Sequence, residues 1–443
     1  MQDSLTRNWL NVTRARLTLD KMASYVVTQI TIVHSLGAPV NLRNSTKRLS
    51  ILIAASALAV TAACGGSSDD KSASSSDPFQ VIYVSGITGL LAPSAKAIQR
   101  GIEAKIADIN ASGGINGRKV ELTVKDNQSD PTRGATLIQK ELTSGTKPDL
   151  LIPGVSSNEA LAAAPLLARA KVVGINSISS PLLDDVAKFP YTFSQSVTTN
   201  SILKAGVDYI FTQGAPKKIA LIVPNDAVGD ATANSFKLAL EGKGVESTTI
   251  RFASDGVDFT PAFQKAKEFD PDWIVMDGAG TQAASLIDGR LKASTEEIPT
   301  LVGVVASSQP LLKLAQGEAL KNLYATILPV GAYIEPADRG PEFEKFFKRV
   351  NDQGALEVPL STYASGWDYV GIWENAVKSI KGTVTGEKIK AALETVPRQD
   401  DPQFPQYSGN YTAKSHFHPG DVSDYTFGAP ESVKDGMYVV KAQ

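Results

Sequence analysis

From residue 79 onward the chain alternates short apolar runs with longer amphipathic stretches. The runs at 79–84, 119–124, 149–153, 171–175 and 191–196 read as strands. Between them, Ile98, Ile102, Ile106 and Ile109 recur at helical spacing. Ser94 stands where it would cap that helix, and Asp130-Pro131 offers the next one a cap followed by an N1 proline. A third helix is expected over 158–168. Strands separated by helices of this length predict βαβ units and a parallel sheet. The rhythm restarts after residue 196. Helices over 201–211, 230–243, 259–269, 281–292 and 309–314 alternate with strands over 218–223, 245–252, 272–276, 298–303 and 323–328. Long helices follow over 341–351, 361–380 and 386–395, with strand-like pieces over 425–440. The chain is therefore expected to be α/β, with two Rossmann-like lobes.

Two runs punctuate this pattern at the ends of consecutive strands, Gly154-Val155-Ser156-Ser157-Asn158 and Asn176-Ser177-Ile178-Ser179-Ser180-Pro181. Each places serines where a helix is expected to begin. A helix start leaves backbone N–H groups without partners and carries a partial positive charge. Two such starts side by side, lined with hydroxyls, suit a small anionic group such as a carboxylate. In open α/β sheets, ligands sit outside the carboxyl ends of the strands. Serine before a helix is also a common N-cap; recurrence in consecutive βα units favours a binding site.

Composition narrows the alternatives. With 443 residues, 42% hydrophobic and 20% charged, the chain is of ordinary globular make-up and long enough for two or three domains. Basic residues cluster early: Arg7, Arg14, Arg16, Lys21, Arg43, Lys47 and Arg48 face only Asp3 and Asp20 before residue 64. The remainder is mildly acidic and has no basic stripe, which argues against nucleic acid as a partner. Cys64 is the single cysteine, so no internal disulfide can form, and three histidines make a poor zinc site. His416 and His418 read as surface-loop residues beside Pro419-Gly420. No cofactor is expected.

Arg43, Lys47 and Arg48 lead into an Ala-rich apolar run that stops at Cys64. A basic region, a short apolar region and small residues before the cut define a secretory signal, here over 43–63. The run is too short for a comfortable membrane span. The small residues before Cys64 resemble the lipobox of bacterial lipoproteins, which implies a lipid on Cys64 and attachment to the membrane. Residues 64–78, rich in Gly, Ser, Asp and Ala, would form a flexible tether. Residues 1–42 do not fit a signal and are expected to be a mis-called extension.

Several stretches of the body carry a family resemblance. Ser85-Gly-Ile-Thr-Gly89 opens it, followed by Asn110-Ala-Ser-Gly-Gly-Ile-Asn-Gly-Arg-Lys119 and Asp126-Asn-Gln-Ser-Asp-Pro131. Asp258-Phe-Thr with Asp270-Pro-Asp-Trp273, and the stretch from Tyr363 to Trp367-Asp-Tyr, complete the set. In this order they resemble the type I periplasmic binding proteins, in the leucine/isoleucine/valine-binding branch. The resemblance implies two lobes with parallel sheets joined by three crossovers, near Val197, Pro329 and Tyr425. Lobe 1 would comprise 79–196 plus 330–424, and lobe 2 would comprise 197–329 plus 425–443. It implies a ligand carboxylate held by Ser156, Ser157, Ser177 and Ser179. On the second lobe the family's acid falls at Val304-Val305, Val228 replaces a tyrosine, and Ala279 stands where an aromatic is common. Asp277 is then the candidate partner for an ammonium, or a cap for the helix after Gly280, and Tyr363 is a candidate wall.

The implied function is capture of a small solute outside the cytoplasm and its delivery to the permease of an ABC transporter. A ligand-sensing co-receptor has the same sequence features. An enzyme fits less well: Gly278-Ala-Gly280 mimics a dinucleotide fingerprint without its third glycine, and no Gly-x-Ser-x-Gly elbow is present.

Overall fold

The computed structural model describes residues 77–145, 147–278, 282–307, 310–314, 317–395, 409, 411–418 and 425–440. The expected extension, the signal, Cys64 and most of the tether lie outside these residues, as do Ala279 and Gly280.

Apolar residues on both faces of β1 (Phe79–Ser85) make it a central strand. With β2 (Val120–Asp126), β3 (Leu150–Pro153), β4 (Gly174–Asn176) and β5 (Thr192–Ser194) it forms a parallel sheet of order β2-β1-β3-β4-β5. Helices α1 (Ala92–Ala111), α2 (Pro131–Thr143) and α3 (Ser157–Ala170) connect its first four strands. After β5 the chain enters a second α/β body through α4 (Thr199–Thr212). There β6 (Lys218–Pro224), α5 (Ala227–Leu240), β7 (Glu246–Phe252), α6 (Thr260–Phe269), β8 (Trp273–Met276) and α7 (Gln282–Lys292) follow. Next come β9 (Thr300–Val302), the short helices α8 (Val304–Ser307) and α9 (Leu311–Leu314), and β10 (Leu323–Ile327).

The chain then returns. Of α10 (Pro341–Asn351), α11 (Leu360–Ser379) and α12 (Gly386–Thr395), the middle helix is buried along most of its length against α1. Gly101 and Gly366 set that crossing: a Cβ on Gly101 would lie 2.0 Å from the Tyr363 carbonyl, and one on Gly366 2.0 Å from the Ile98 carbonyl. The backbones touch, and Lys105 and Glu374 form a buried ion pair at 3.0 Å further along. The chain finally crosses back. β11 (Thr426–Gly428) adds antiparallel to β10, and the second sheet reads β11-β10-β9-β8-β6-β7. A hairpin of β12 (Pro430–Lys434) and β13 (Met437–Val440) ends the described chain.

Four local expectations are corrected. Helix α1 starts at Ala92 with Leu91 in the cap position and no side-chain capping bond, so Ser94 lies inside the helix. The strand expected over 171–175 shortens because Lys171 takes a left-handed φ of 56° as the C-cap of α3. The run from Asn176 starts no α-helix. Its backbone finds other partners: the Asn176 side chain accepts from Ile178 N at 2.9 Å, and the Ser179 carbonyl accepts from Thr199 N at 2.6 Å. His416 is buried, not a surface residue. Residue 417 bridges to the edge of β5 at Ser194, which draws the His416 ring onto Phe193 at 3.9 Å and its Nε2 to Glu394 at 2.9 Å.

Candidate functional site

A cavity of about 340 Å³ opens where the carboxyl ends of the two sheets face each other. Ser156, Ser157, Ser177, Ser179, Val228 and Asp277 all line it; Tyr363 does not.

The first wall begins with Gly154. Its φ of +74° and a would-be Cβ 2.5 Å from the Glu159 carboxyl carbon admit only glycine. The turn folds the loop over the buried Glu159 carboxylate, which accepts from Val155 N (2.9 Å), Ser156 N (3.0 Å), Ser156 Oγ (2.9 Å) and Asn127 Nδ2 (2.5 Å). Glu159 N donates to Ser156 Oγ at 3.4 Å, completing a capping box. Ser156 is therefore occupied as a cap. Ser157, the first helical residue, turns toward the cavity beside amides that a helix start leaves without an internal partner.

The second wall is the 176–180 loop. Ser177 Oγ accepts from the Tyr369 hydroxyl at 2.6 Å. Thr199 Oγ1 donates to the Ser179 carbonyl at 2.8 Å and lies 3.2 Å from Ser179 Oγ. The α-helix start beside this loop is that of α4, capped by Thr198; only a 3-10 turn, Pro181–Leu183, follows Ser180.

Across the cavity stand carboxylates. Asp226 caps α5, accepting from Val228 N (3.0 Å), Gly229 N (3.1 Å) and Ser254 Oγ (3.0 Å). Asp277, at the end of β8, accepts from Gly278 N at 2.9 Å and Ala306 N at 3.0 Å. It thus binds an amide of α8, while the start of the helix after Gly280 lies outside the described residues. Among the described lining residues there is no Lys, Arg or His and no aromatic ring. The remaining lining is largely aliphatic, including Ile98, Ile178, Ile202, Val207, Leu301 and Leu328. One side thus offers hydroxyl donors and the other negative charge, with an apolar body between.

Tyr363 belongs to the core. Its hydroxyl accepts from Glu357 N at 3.0 Å and its ring packs under Arg100 at 5.2 Å. Helix α11 serves the cavity through other residues, Thr362 and Ser365 on the lining and Tyr369 behind Ser177. Those positions stand at i, i+3 and i+7, a polar stripe on a buried helix whose signal in the sequence is that spacing.

Residues 79–419 match the family described as periplasmic binding protein. A Leu/Ile/Val-binding protein homolog 1 of Brucella abortus is 27% identical over 338 residues, which is 72% of this chain and 86% of that protein. Homolog 2 of the same organism is 24% identical over 301 residues, 65% of this chain and 74% of that protein. Among solved structures, a solute-binding protein of an ABC transporter from Rhodopseudomonas palustris, in complex with 3,4-dihydroxybenzoic acid, shares the fold. Its TM-score is 0.69 at 20% identity, covering 82% of this chain and 96% of that one. A branched-chain amino acid transporter substrate-binding protein from Streptococcus pneumoniae, in complex with isoleucine, gives 0.65 at 21% identity, covering 79% and 97%.

Proposed function

This chain belongs to the periplasmic binding protein family, and from that premise we propose that it captures one small polar solute in the cleft and hands it to an ABC transporter permease. The family works outside the cytoplasm and binds rather than transforms its ligands. The solute is an amino acid, an amide or a small carboxylate. The observation that carries this reading is the division of the cavity, with Ser157, Ser177 and Ser179 on one wall and Asp277 on the other. A solute carboxylate accepts from the serine wall, an aliphatic body lies against the apolar lining, and an ammonium, where present, meets Asp277. Hydrogen bonds to a charged group contribute about 1.5–3 kcal/mol each. Three of them, with apolar burial, act against the cost of immobilising the solute. The two bodies close on the solute by hinge motion at the chain crossings. Lipidated Cys64 and its tether hold the protein at the membrane.

Thermal-shift screening of the full chain against amino acids, their amides and short organic acids tests the reading. A hit that is lost in the double variant Ser157→Ala, Ser179→Ala supports it; no hit across the panel, or unaltered binding by the double variant, rejects it. Mass spectrometry of the amino-terminal peptide from membranes tests the anchor, which requires acyl chains on Cys64.

A further inference from the structure

Tyr369 stands outside the cavity yet governs one of its walls. It is completely buried on α11, and its hydroxyl donates to Ser177 Oγ at 2.6 Å. Burial pushes the phenol pKa well up, so the proton stays on. The Ser365 hydroxyl donates to the Ser361 carbonyl at 3.3 Å, and the phenol proton goes to Ser177 Oγ. A serine hydroxyl carries one proton and two lone pairs. The lone pair facing Tyr369 is taken, and the Ser177 proton cannot point that way. Ser177 lines the cavity, so that side is open to it.

Resting on the reading of this cavity as the solute site, we infer that Tyr369 is a positioning residue that presents Ser177 as a pre-set hydrogen-bond donor. The wall thereby selects an acceptor head, a carboxylate, over a head that brings its own donors, such as a primary amide. No solute atom touches Tyr369; it acts through Ser177. Removing its hydroxyl frees the Ser177 proton to turn away and exposes both lone pairs to the cavity. Affinity for a carboxylate then drops, and affinity for the matching amide holds or rises.

The test is calorimetric titration of the full chain with L-leucine and L-leucinamide, which share body and ammonium and differ in the head. Wild type is expected to prefer leucine by at least tenfold. Tyr369→Phe is expected to shrink that preference at least fivefold, Ser177→Ala to shrink it comparably, and the double variant to add nothing, since both act on one interaction. A structural role alone would weaken both probes together. Equal weakening of the two, or an unchanged preference in Tyr369→Phe, overturns the inference. Should wild type bind neither probe while another solute still shifts its melting, the inference falls and the binding reading stands; should no solute bind, both fall.

Discussion

Met437 and Tyr438, neighbours on β13, are buried in different cores. Met437 packs with Phe343, Phe346 and Trp367 of the returning helices, while Tyr438 packs with Met276, Val302 and Leu311 of the second body. Alternate side chains of a strand point to opposite faces, so one short hairpin is pinned on both sides. Hydrogen bonds hold it as well: Tyr333 N donates to the Tyr438 carbonyl at 2.9 Å, Leu360 N to the Gly436 carbonyl at 2.7 Å, and Leu311 N to the Tyr438 side-chain hydroxyl at 3.0 Å. Met437→Ala is expected to cost about 2–5 kcal/mol, the range for deleting a buried Met side chain. Tyr438→Phe is expected to cost about 1–3 kcal/mol by leaving the Leu311 amide without its acceptor. Urea unfolding followed by fluorescence measures both.

The Gly154 turn couples stability to the serine wall. Gly154→Ala puts a methyl against Glu159 and forces a β-carbon into a left-handed backbone. A loss of at least about 1–2 kcal/mol is expected from the backbone alone. Because Glu159 orders Val155 N and Ser156 N, displacing it also disorders the segment that carries Ser157. Binding of any panel solute should weaken together with the melting temperature. Normal affinity in the destabilised variant would show that the loop does not shape the site.

How much of this was legible from residues alone follows from the range of the forces involved. The βαβ rhythm and the Asp130 cap are local, set by periodicity and by a side chain reaching an amide two or three residues away, and they were read correctly. The capping box at Ser156 and Glu159 is equally local, yet it was not distinguished from a ligand site because a serine hydroxyl serves both. What failed was tertiary. Asn176 to Pro181 starts no α-helix because Thr199, twenty residues on, takes its backbone partners. Tyr363 and Tyr369 lie on one helix, and only the position of Ser177 decides which of them matters. His416 looked like a loop residue because the strand edge that buries it lies far back in the chain, at Phe193 and Ser194.

That buried histidine predicts an acid sensitivity. Burial holds the His416 pKa below its ordinary value, against the pull of Glu394, and the Thr192 carbonyl and Lys390 complete its surroundings. The unfolded chain has the ordinary value, about 6.5. Below that pH the unfolded state takes up a proton that the folded state resists. The contribution is therefore full above about pH 6.5 and declines as the pH falls toward the folded value. For Glu394, burial acts to raise the pKa, but Lys390 and His416 hold it lower on balance. Its contribution is present above the ordinary carboxyl range and is lost at still lower pH, in the same direction. Denaturant midpoints measured from pH 7.5 to 5 should fall steadily in wild type. His416→Gln, which has no proton to gain, should flatten the part of that slope nearest pH 6.

Asp277 separates two roles that the sequence left open. As a cap it offers an acceptor oxygen to Gly278 N and Ala306 N, and Asn supplies one. As the partner of an ammonium it needs its charge. Asp277→Asn is therefore expected to keep stability within about 1 kcal/mol, whereas Asp277→Ala, which leaves both amides without that acceptor, should cost about 1–3 kcal/mol or more. Binding divides the other way. A charged hydrogen bond is worth about 1.5–3 kcal/mol, so Asp277→Asn should weaken L-leucine about tenfold or more. It should leave 4-methylpentanoate, the same body without the ammonium, unchanged or slightly tighter, since a like charge facing the anion has gone. Calorimetry of the two solutes on the two proteins gives the answer as a ratio. A drop confined to leucine assigns the ammonium to Asp277, and an equal response to both leaves Asp277 as a helix cap that happens to face the cleft.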